Sequence, residues 1–431
     1  GSSLYPNDTT WRVGIGTTSP SEKLDVNGNI NSSTYYQIGG GRVLSNAGTG
    51  NIFVGVGAGE NNTGHNNTFS GSYAGNSNTT GYDNTFSGAG AGYRNTTGYF
   101  NTFSGHNAGY SNTEGYRNTF SGYWAGYSNN TGNENTFSGC QAGYLNTTGY
   151  FNTFSGYRAG YSNTEGYENT FSGYWAGYSN TTGNSNTFSG NMAGYSNITG
   201  NWNTFSGHMA GYHNTTGVGN TFSGDDAGYS NTEGYQNTFS GYRAGYGNTT
   251  GHYNIFSGTY AGGSNETGTG NVFIGFEAGY YETGSNRLYI ANGTSASNTL
   301  IYGEFDNQRL GLCGVTSLIH KIDVNGGAYC DGANWVNASS REYKENIAEI
   351  GVAEAIEAVE GLKAVRFNYK ENKEEECLGF IAEDVPELVA MKDRKGMSSM
   401  DIVAVLTTVV QNQQKEIELL KEKIAELESR D

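Results

Sequence analysis

Fourteen near-copies of one short motif fill the middle of this 431-residue chain. The unit reads NTFSGxxAGYxNTTGxx. Its Asn-x-Phe start occurs at Asn51, then at Asn67 and every seventeen residues to Asn271. A fixed period of this length is the mark of a stacked-rung β-structure, in which each repeat is one coil that contacts only its neighbours. Over more than half the chain it argues against an ordinary globular enzyme.

Each unit supplies one Phe, in the series Phe53, Phe69, Phe86 and on to Phe273. Asn-Thr-Phe-Ser reads as a short strand. Three Gly follow at fixed offsets, as in Gly71, Gly75 and Gly81, and predict about three tight corners per coil. One buried Phe contributes about 1.5–3 kcal/mol, whereas ordering the backbone costs roughly 1–2 kcal/mol for every residue. A lone rung cannot fold. Hydrogen bonds between rungs, with packing between chains, are expected to make up the deficit, and Asn ladders to satisfy polar groups. Thirteen steps of about 4.8 Å give a shaft of roughly 60 Å.

Composition agrees. Gly is abundant at 68 and Pro scarce at 3, while Tyr reaches 33 and Phe 20. This suits a thin structure with a narrow buried stripe. The formal charge of −17 argues against binding nucleic acid through phosphates. No apolar run is long enough to span a bilayer. No signal peptide is visible, and the GSS start reads as a processed or tagged end. Cys140, Cys313, Cys330 and Cys377 lack CxxC spacing, and the six His are scattered. No metal site or cofactor is expected, and a Cys313–Cys330 bridge is left open. GAGAGY near Gly88 is a repeat variant without Rossmann context.

The chain divides by composition and by duplication. VGIGTTSPSEKLDVNGNI (13–30) precedes the repeats and LGLCGVTSLIHKIDVNGGA (310–328) follows them, two related modules expected to cap the array. The terminal copies carry Val54 and Ile274 where internal copies have Ser. Residues 341–431 hold 13 of the 23 Lys/Arg and 21 of the 40 Asp/Glu. The expected domains are a β cap over 1–50, the shaft over 51–281, a second β cap over 282–338, and an α+β domain over 339–431.

That last domain carries the sharpest signal. SSREYKENI (339–347) precedes an amphipathic helix near 353–359, a strand-like AVRFNYK (364–370), an acidic turn, LGFIAEDVPELV (378–389) and a long final helix over 401–431. This order and wording resemble the endosialidase-type intramolecular chaperone, the auto-cleaving serine peptidase domain at the end of phage tail spikes and fibres. The resemblance implies that Ser339 and Lys344 cut the Ala338–Ser339 bond. A neutral Lys amine can take the Ser proton if burial lowers its pKa. Where the family commonly has Asp after the Ser, this chain has Ser340. The alternative is that Ser339 or Ser340 caps a helix, with Glu342 or Glu345 completing a capping box. The repeats resemble the heads of trimeric autotransporter adhesins and the Asn/Gly/Thr repeats of tail-fibre-like proteins.

The final helix has heptads, with Val403, Val410, Ile417 and Ile424 at a and Leu406, Gln413, Leu420 and Leu427 at d. The a/d chemistry alone leans towards two strands; the family resemblance implies three. The expectation is therefore a mainly β, trimeric stacked-rung shaft joined to a chaperone domain that ends in a coiled coil.

The variable positions of the repeat carry Tyr123, Trp124, Tyr157, Arg158, Tyr174, Trp175, His208, Met209, Asp225 and Asp226, with Trp202 at another variable offset. Tyr123, Trp124, Tyr174, Trp175 and Trp202 are the candidates for contact with a cell-surface glycan or receptor; the alternative is that they fill grooves between chains. Asp225–Asp226 raises a glycosidase pair, but neighbours on a strand point apart. Three readings result: an extracellular attachment fibre of a virion tail, injection machine or cell envelope, fixed through its N-terminal end; a polysaccharide depolymerase; or a subunit of a surface filament.

Overall fold

The computed structural model describes residues 13–15, 19, 21–26, 35–38, 41–324, 328–330, 335–336, 341, 344–370 and 372–429. It divides into two units, Gly1–Ala338 and Ser339–Asp431.

The first unit is mainly β. It opens with β1 (Val13–Ile15) and β2 (Leu24–Val26), a parallel pair, then β3 (Tyr35–Ile38) and β4 (Gly41–Ser45), an antiparallel hairpin. Fourteen three-residue strands follow, from β5 (Ile52–Val54) to β18 (Val272–Ile274), one per repeat. They pair in parallel and in register, Phe on Phe, as a β-solenoid with a seventeen-residue rung. β19 (Arg287–Ala291) extends the parallel run; β20 (Thr299–Glu304) and β21 (Arg309–Leu312) continue it antiparallel. β22 (Ile322–Val324), β23 (Tyr329–Cys330) and β24 (Trp335–Val336) complete the sheet. The duplicated segments share one geometry. β1 pairs parallel with β2 from Val13↔Leu24, and β21 with β22 from Leu310↔Ile322.

The rung beginning at Asn118 shows how the sequence makes the coil. Thr119 and Ser121 face solvent and Phe120 is fully buried. Phe120 stacks on Phe103 and Phe137 at 4.8 Å, within 5° of parallel. Ala125 is buried beside this column. The Phe column lies inside a single chain. One coil encloses its own rings, and Gly126 lies so close to Phe120 that any Cβ there would meet the ring at 2.5 Å.

The corners also differ from the three glycines expected. Left-handed backbone occurs at Gly122 (φ 141°) and Gly126 (φ 58°), but also at Trp124 (φ 57°) and Glu134 (φ 54°). The third glycine, Gly132, is not left-handed. A Cβ there would meet Gly149 O and Asn129 Oδ1, both at 2.4 Å, so it is required for clearance between rungs. Trp124 and Glu134 are held in an unfavourable conformation because each N–H donates to the preceding rung, to His106 O and Tyr116 O, at 3.0 Å.

Two Asn ladders run through the rungs. Asn135 N–H donates to Asn118 Oδ1 (3.0 Å), and Asn146 Nδ2 donates to Asn129 Oδ1 (2.7 Å). Both ladders converge on one carbonyl per rung. Gly149 O accepts from Asn135 Nδ2 (2.8 Å) and Asn146 Nδ2 (3.0 Å). In the inner rungs the buried ladder amides are thereby satisfied without any charged group, whereas near the C-terminal end of the array Asn248 Oδ1 and Asn265 Oδ1 are buried without a partner.

The ends close differently. Tyr289 stands edge-on against Phe273, at 5.4 Å and 84°, and interrupts the stack. At the other end β4 pairs antiparallel with β5, setting Ser45 opposite Phe53. The four cysteines are free, so the Cys313–Cys330 bridge is not formed.

The second unit contains α1 (Val352–Glu360), a hairpin of β25 (Val365–Tyr369) and β26 (Asn372–Gly379), and α2 (Ser399–Glu428). The acidic stretch expected as a turn lies in β26. It is tolerated there because it is exposed and Arg366 pairs with Glu376 at 2.8 Å. Ser398 caps α2 by accepting from Asp401 N–H. The core joins Ala355 and Ala358 of α1 to Val385, Val389 and Val405.

Candidate functional site

The variable positions lie where the coil turns away from the strand. Tyr123 and Tyr174 are 46% and 43% exposed. Their ring faces are partly occupied: Tyr123 stacks on His106 and Tyr174 on Tyr157, each at 5.2 Å. Trp124 and Trp175 are half-buried rather than free. Trp124 wedges against Tyr123 (4.6 Å), Tyr127 (6.0 Å) and Tyr144 (5.9 Å). Trp175 repeats this against Tyr174, Tyr178 and Tyr195 at 4.7, 6.0 and 5.9 Å. Both indole N–H groups are buried without an acceptor. The structure thus brings Tyr123 to Trp124 and Tyr174 to Trp175 as twin clusters. Trp202, 68% exposed, occupies the same kind of corner as Glu134.

The support behind these clusters was not singled out in the sequence. A second aromatic ladder, at the Tyr of AGY, runs from Tyr93 to Tyr246 with ring spacings of 5.0–5.3 Å. Its signal was the near-invariance of that Tyr among internal copies. Burial, then the charge of neighbouring phenols, raises Tyr144 and Tyr212 above the ordinary phenol value.

Asp225 and Asp226 do not form a paired catalytic site. Asp226 is 9% exposed and accepts from Arg243 Nε at 3.0 Å. That hydrogen bond, then one to Tyr260, raises Arg243 further. Asp225 is exposed, with His208 Nδ1 at 3.3 Å. Ligand atoms of His208, Asp225 and Asp226 lie within 4.8 Å of one another, but Asp226 is already committed to Arg243.

Ala338, which ends the first unit, and Ser339 and Ser340, which open the second, lie outside the described residues. Lys344 is exposed, and its backbone N–H donates to Arg341 O at 3.2 Å. Arg394 ties the loop after the hairpin by donating to Glu383 O (2.6 Å) and Val385 O (2.7 Å).

α2 has two apolar faces. Ile402, Val405 and Val409 pack on the unit's own core. Val403, Leu406, Val410, Ile417, Leu420, Ile424 and Leu427 are all exposed, between 41% and 64%, and Gln413 is exposed among them.

Residues 339–392 match the family model of the chaperone of endosialidase. No curated protein and no solved structure matches the chain. The chaperone match takes in α1, the β25–β26 hairpin and the Arg394-tied loop up to Lys392, and it stops before α2. An endosialidase-type chaperone segment together with a seventeen-residue β-solenoid fits a tail-fibre- or spike-like protein. No helix among the described residues is long and apolar enough to cross a membrane.

Proposed function

We propose that this chain is one strand of a homotrimeric extracellular attachment fibre, assembled by its C-terminal chaperone segment. The observation that carries the reading is the second apolar face of α2. Its a/d residues are exposed along the helix while Ile402, Val405 and Val409 already satisfy the unit's own core. Seven exposed aliphatic side chains at heptad spacing call for partner helices. Three copies in register would align three chains before the rungs form. That is useful for parallel β-structure, whose non-local pairing folds slowly and exposes edges.

Sedimentation of the full chain tests the assembly. A trimer that Leu420→Asp dissociates is expected; a monomer or dimer would reject it.

The same segment is proposed to cut itself at Ala338–Ser339, with Ser339 as nucleophile and Lys344 as base. Lys344 is exposed in one chain, so the desolvation that favours a neutral amine must come from neighbouring copies. Intact mass should reveal a fragment ending at Ala338, absent in Ser339→Ala; an uncut wild type would remove the claim. The domain plan follows as proposed above, with caps at 1–50 and 282–338, the shaft at 51–281 and the chaperone domain at 339–431. The N-terminal end would be fixed to a virion tail, injection machine or envelope. The Tyr123–Trp124 and Tyr174–Trp175 clusters, with Trp202, would meet the glycan or receptor, since each offers aromatic edges and an unused or exposed indole. Protein with Trp124→Ala, Trp175→Ala and Trp202→Ala together should assemble but attach less well to host cells.

A further inference from the structure

The strand face of the solenoid has a property unlike the rest of its surface. Every strand from β6 to β16 presents one Thr and one Ser outward around its buried Phe. The Thr column runs unbroken from Thr68 to Thr238 and the Ser column from Ser70 to Ser257. No charged or aromatic side chain interrupts either column. Other outward positions vary freely from rung to rung, as Tyr123, Cys140, Tyr157 and Asn191 do at one offset. Among the described residues, none of these Thr or Ser hydroxyls has a hydrogen-bond partner in the protein, whereas hydroxyls elsewhere on the coil do, such as Thr147 Oγ1 to Thr164 O at 2.9 Å.

The face is also regular. Thr stands on Thr and Ser on Ser from rung to rung, and the Phe rings directly beneath repeat every 4.7–4.8 Å, within 4–6° of parallel. Along one direction hydroxyls therefore repeat at the rung spacing. Across it, Thr and Ser of one strand are about 6.6–6.8 Å apart. The result is a rectangular, charge-free lattice of hydroxyls and Thr methyl groups.

Two parallel hydroxyl columns that keep one interval along the rod and one spacing across it match a partner whose own atoms repeat at those distances. A folded macromolecule lacks such a repeat. We propose that this face binds ice. The oxygen atoms of crystalline water repeat at closely similar spacings along two perpendicular directions. Free hydroxyls can join that network, Thr methyls exclude disordered water between them, and no charge is present to recruit its own hydration shell. A second copy docked face to face is the weaker match, because this face has no aromatic or Arg anchor of the kind that holds protein interfaces together. A crystalline polysaccharide is weaker too, because no ring presents itself here for stacking.

The test uses the full chain cooled with a seed crystal, measuring thermal hysteresis, crystal shape and recrystallisation. Wild type should open a hysteresis gap and facet the crystal. Thr153→Lys and, separately, Ser155→Lys should lose both effects, because each sets a charge in the centre of the lattice. Thr148→Lys, exposed on another side of the coil, should keep them. Circular dichroism confirms that each variant retains its fold. Absence of hysteresis and faceting in wild type overturns the proposal. So does equal loss in Thr148→Lys, or retention in both face variants. Side-by-side pairing of copies that Thr153→Lys abolishes, without any effect on ice, would assign the face to a second copy instead.

Discussion

Asn146 Nδ2 donates to Asn129 Oδ1 across one rung at 2.7 Å, and both side chains are fully buried. Each amide thus serves as acceptor on one side and donor on the other. Asn146→Asp keeps the shape but removes the donor and places an acceptor facing Asn129 Oδ1 and Gly149 O. Leaving an uncompensated buried charge costs about 3–5 kcal/mol. Chemical denaturation should show a loss of that order for Asn146→Asp, and little change for Asn133→Asp, which is half-exposed.

The glycine pattern yields an inverted pair of expectations. Gly149 has ordinary φ, yet a Cβ there would meet Gly166 O at 2.4 Å. Gln236 is left-handed (φ 52°) and exposed. Gly149→Ala should destabilise strongly. Gln236→Gly should be neutral or stabilising by up to about 1 kcal/mol, since it relieves a left-handed side chain. Thermal melts of the two variants would check the inversion; a stable Gly149→Ala would refute the clearance argument.

Phe154 lies at 4.8 Å from both Phe137 and Phe171. Phe154→Ala should cost about 3–5 kcal/mol through the lost ring and its cavity. Because rungs contact only neighbours, hydrogen exchange should accelerate around residues 137–171 first, leaving distant rungs protected. Uniform acceleration along the shaft would contradict nearest-neighbour stability.

Two groups set opposite pH limits. Tyr144, Tyr212 and Tyr229 are raised above 10.0, by burial first and then by neighbouring charge. The unfolded phenols ionise first, so this contribution is complete below pH 10 and is lost as pH rises through the folded values. For Asp323, burial acts to raise the carboxyl, but hydrogen bonds from the His320 side chain and from the His320 and Ile319 N–H groups outweigh it and lower it below 3.8. Its contribution is present above that value and lost as pH falls through the folded one. The part of the phenolate absorbance that Tyr144→Phe, Tyr212→Phe and Tyr229→Phe remove should appear late on alkaline titration, with unfolding. Asp323→Asn should flatten the acid limb.

The repeat contains Asn-x-Thr triplets such as Asn95-Thr96-Thr97, and Asn95 is fully buried with its Nδ2 on Asn78 Oδ1 and Gly98 O. A glycan there is incompatible with the rung. At Asn95, chain secreted from a glycosylating host should carry sugar only on unfolded material. Removing the sugar enzymatically would leave Asp in place of Asn, so such chains should still fail to refold.

Much of this architecture was legible because a period fixes contacts. Once Phe137 and Phe154 occupy the same offset, stacking places one on the other. The roles within a rung were less legible. Gly132 and Gly126 look alike in the sequence, yet one provides room between rungs and the other a left-handed turn. Trp124 occupies a left-handed corner that its residue type disfavours, and only hydrogen bonds to the preceding rung make it tenable. The exposed α2 face was visible in the heptads from Val403 to Leu427. Its separation from the self-packing Ile402–Val405–Val409 face needed three dimensions, since both are apolar at helical spacing.

Each inner rung donates to the rung before it through Trp124-type corners and to the rung after it through Gly126, whose N–H reaches Ala142 O at 2.9 Å. Its upper and lower surfaces are therefore interchangeable with those of any other. Excising residues 152–168 would rejoin matching surfaces and shorten the column by one step, whereas excising one residue fewer would misalign everything beyond the cut. Recombination between such similar gene segments could thus alter the reach of the molecule in whole increments, with no fresh contact to evolve.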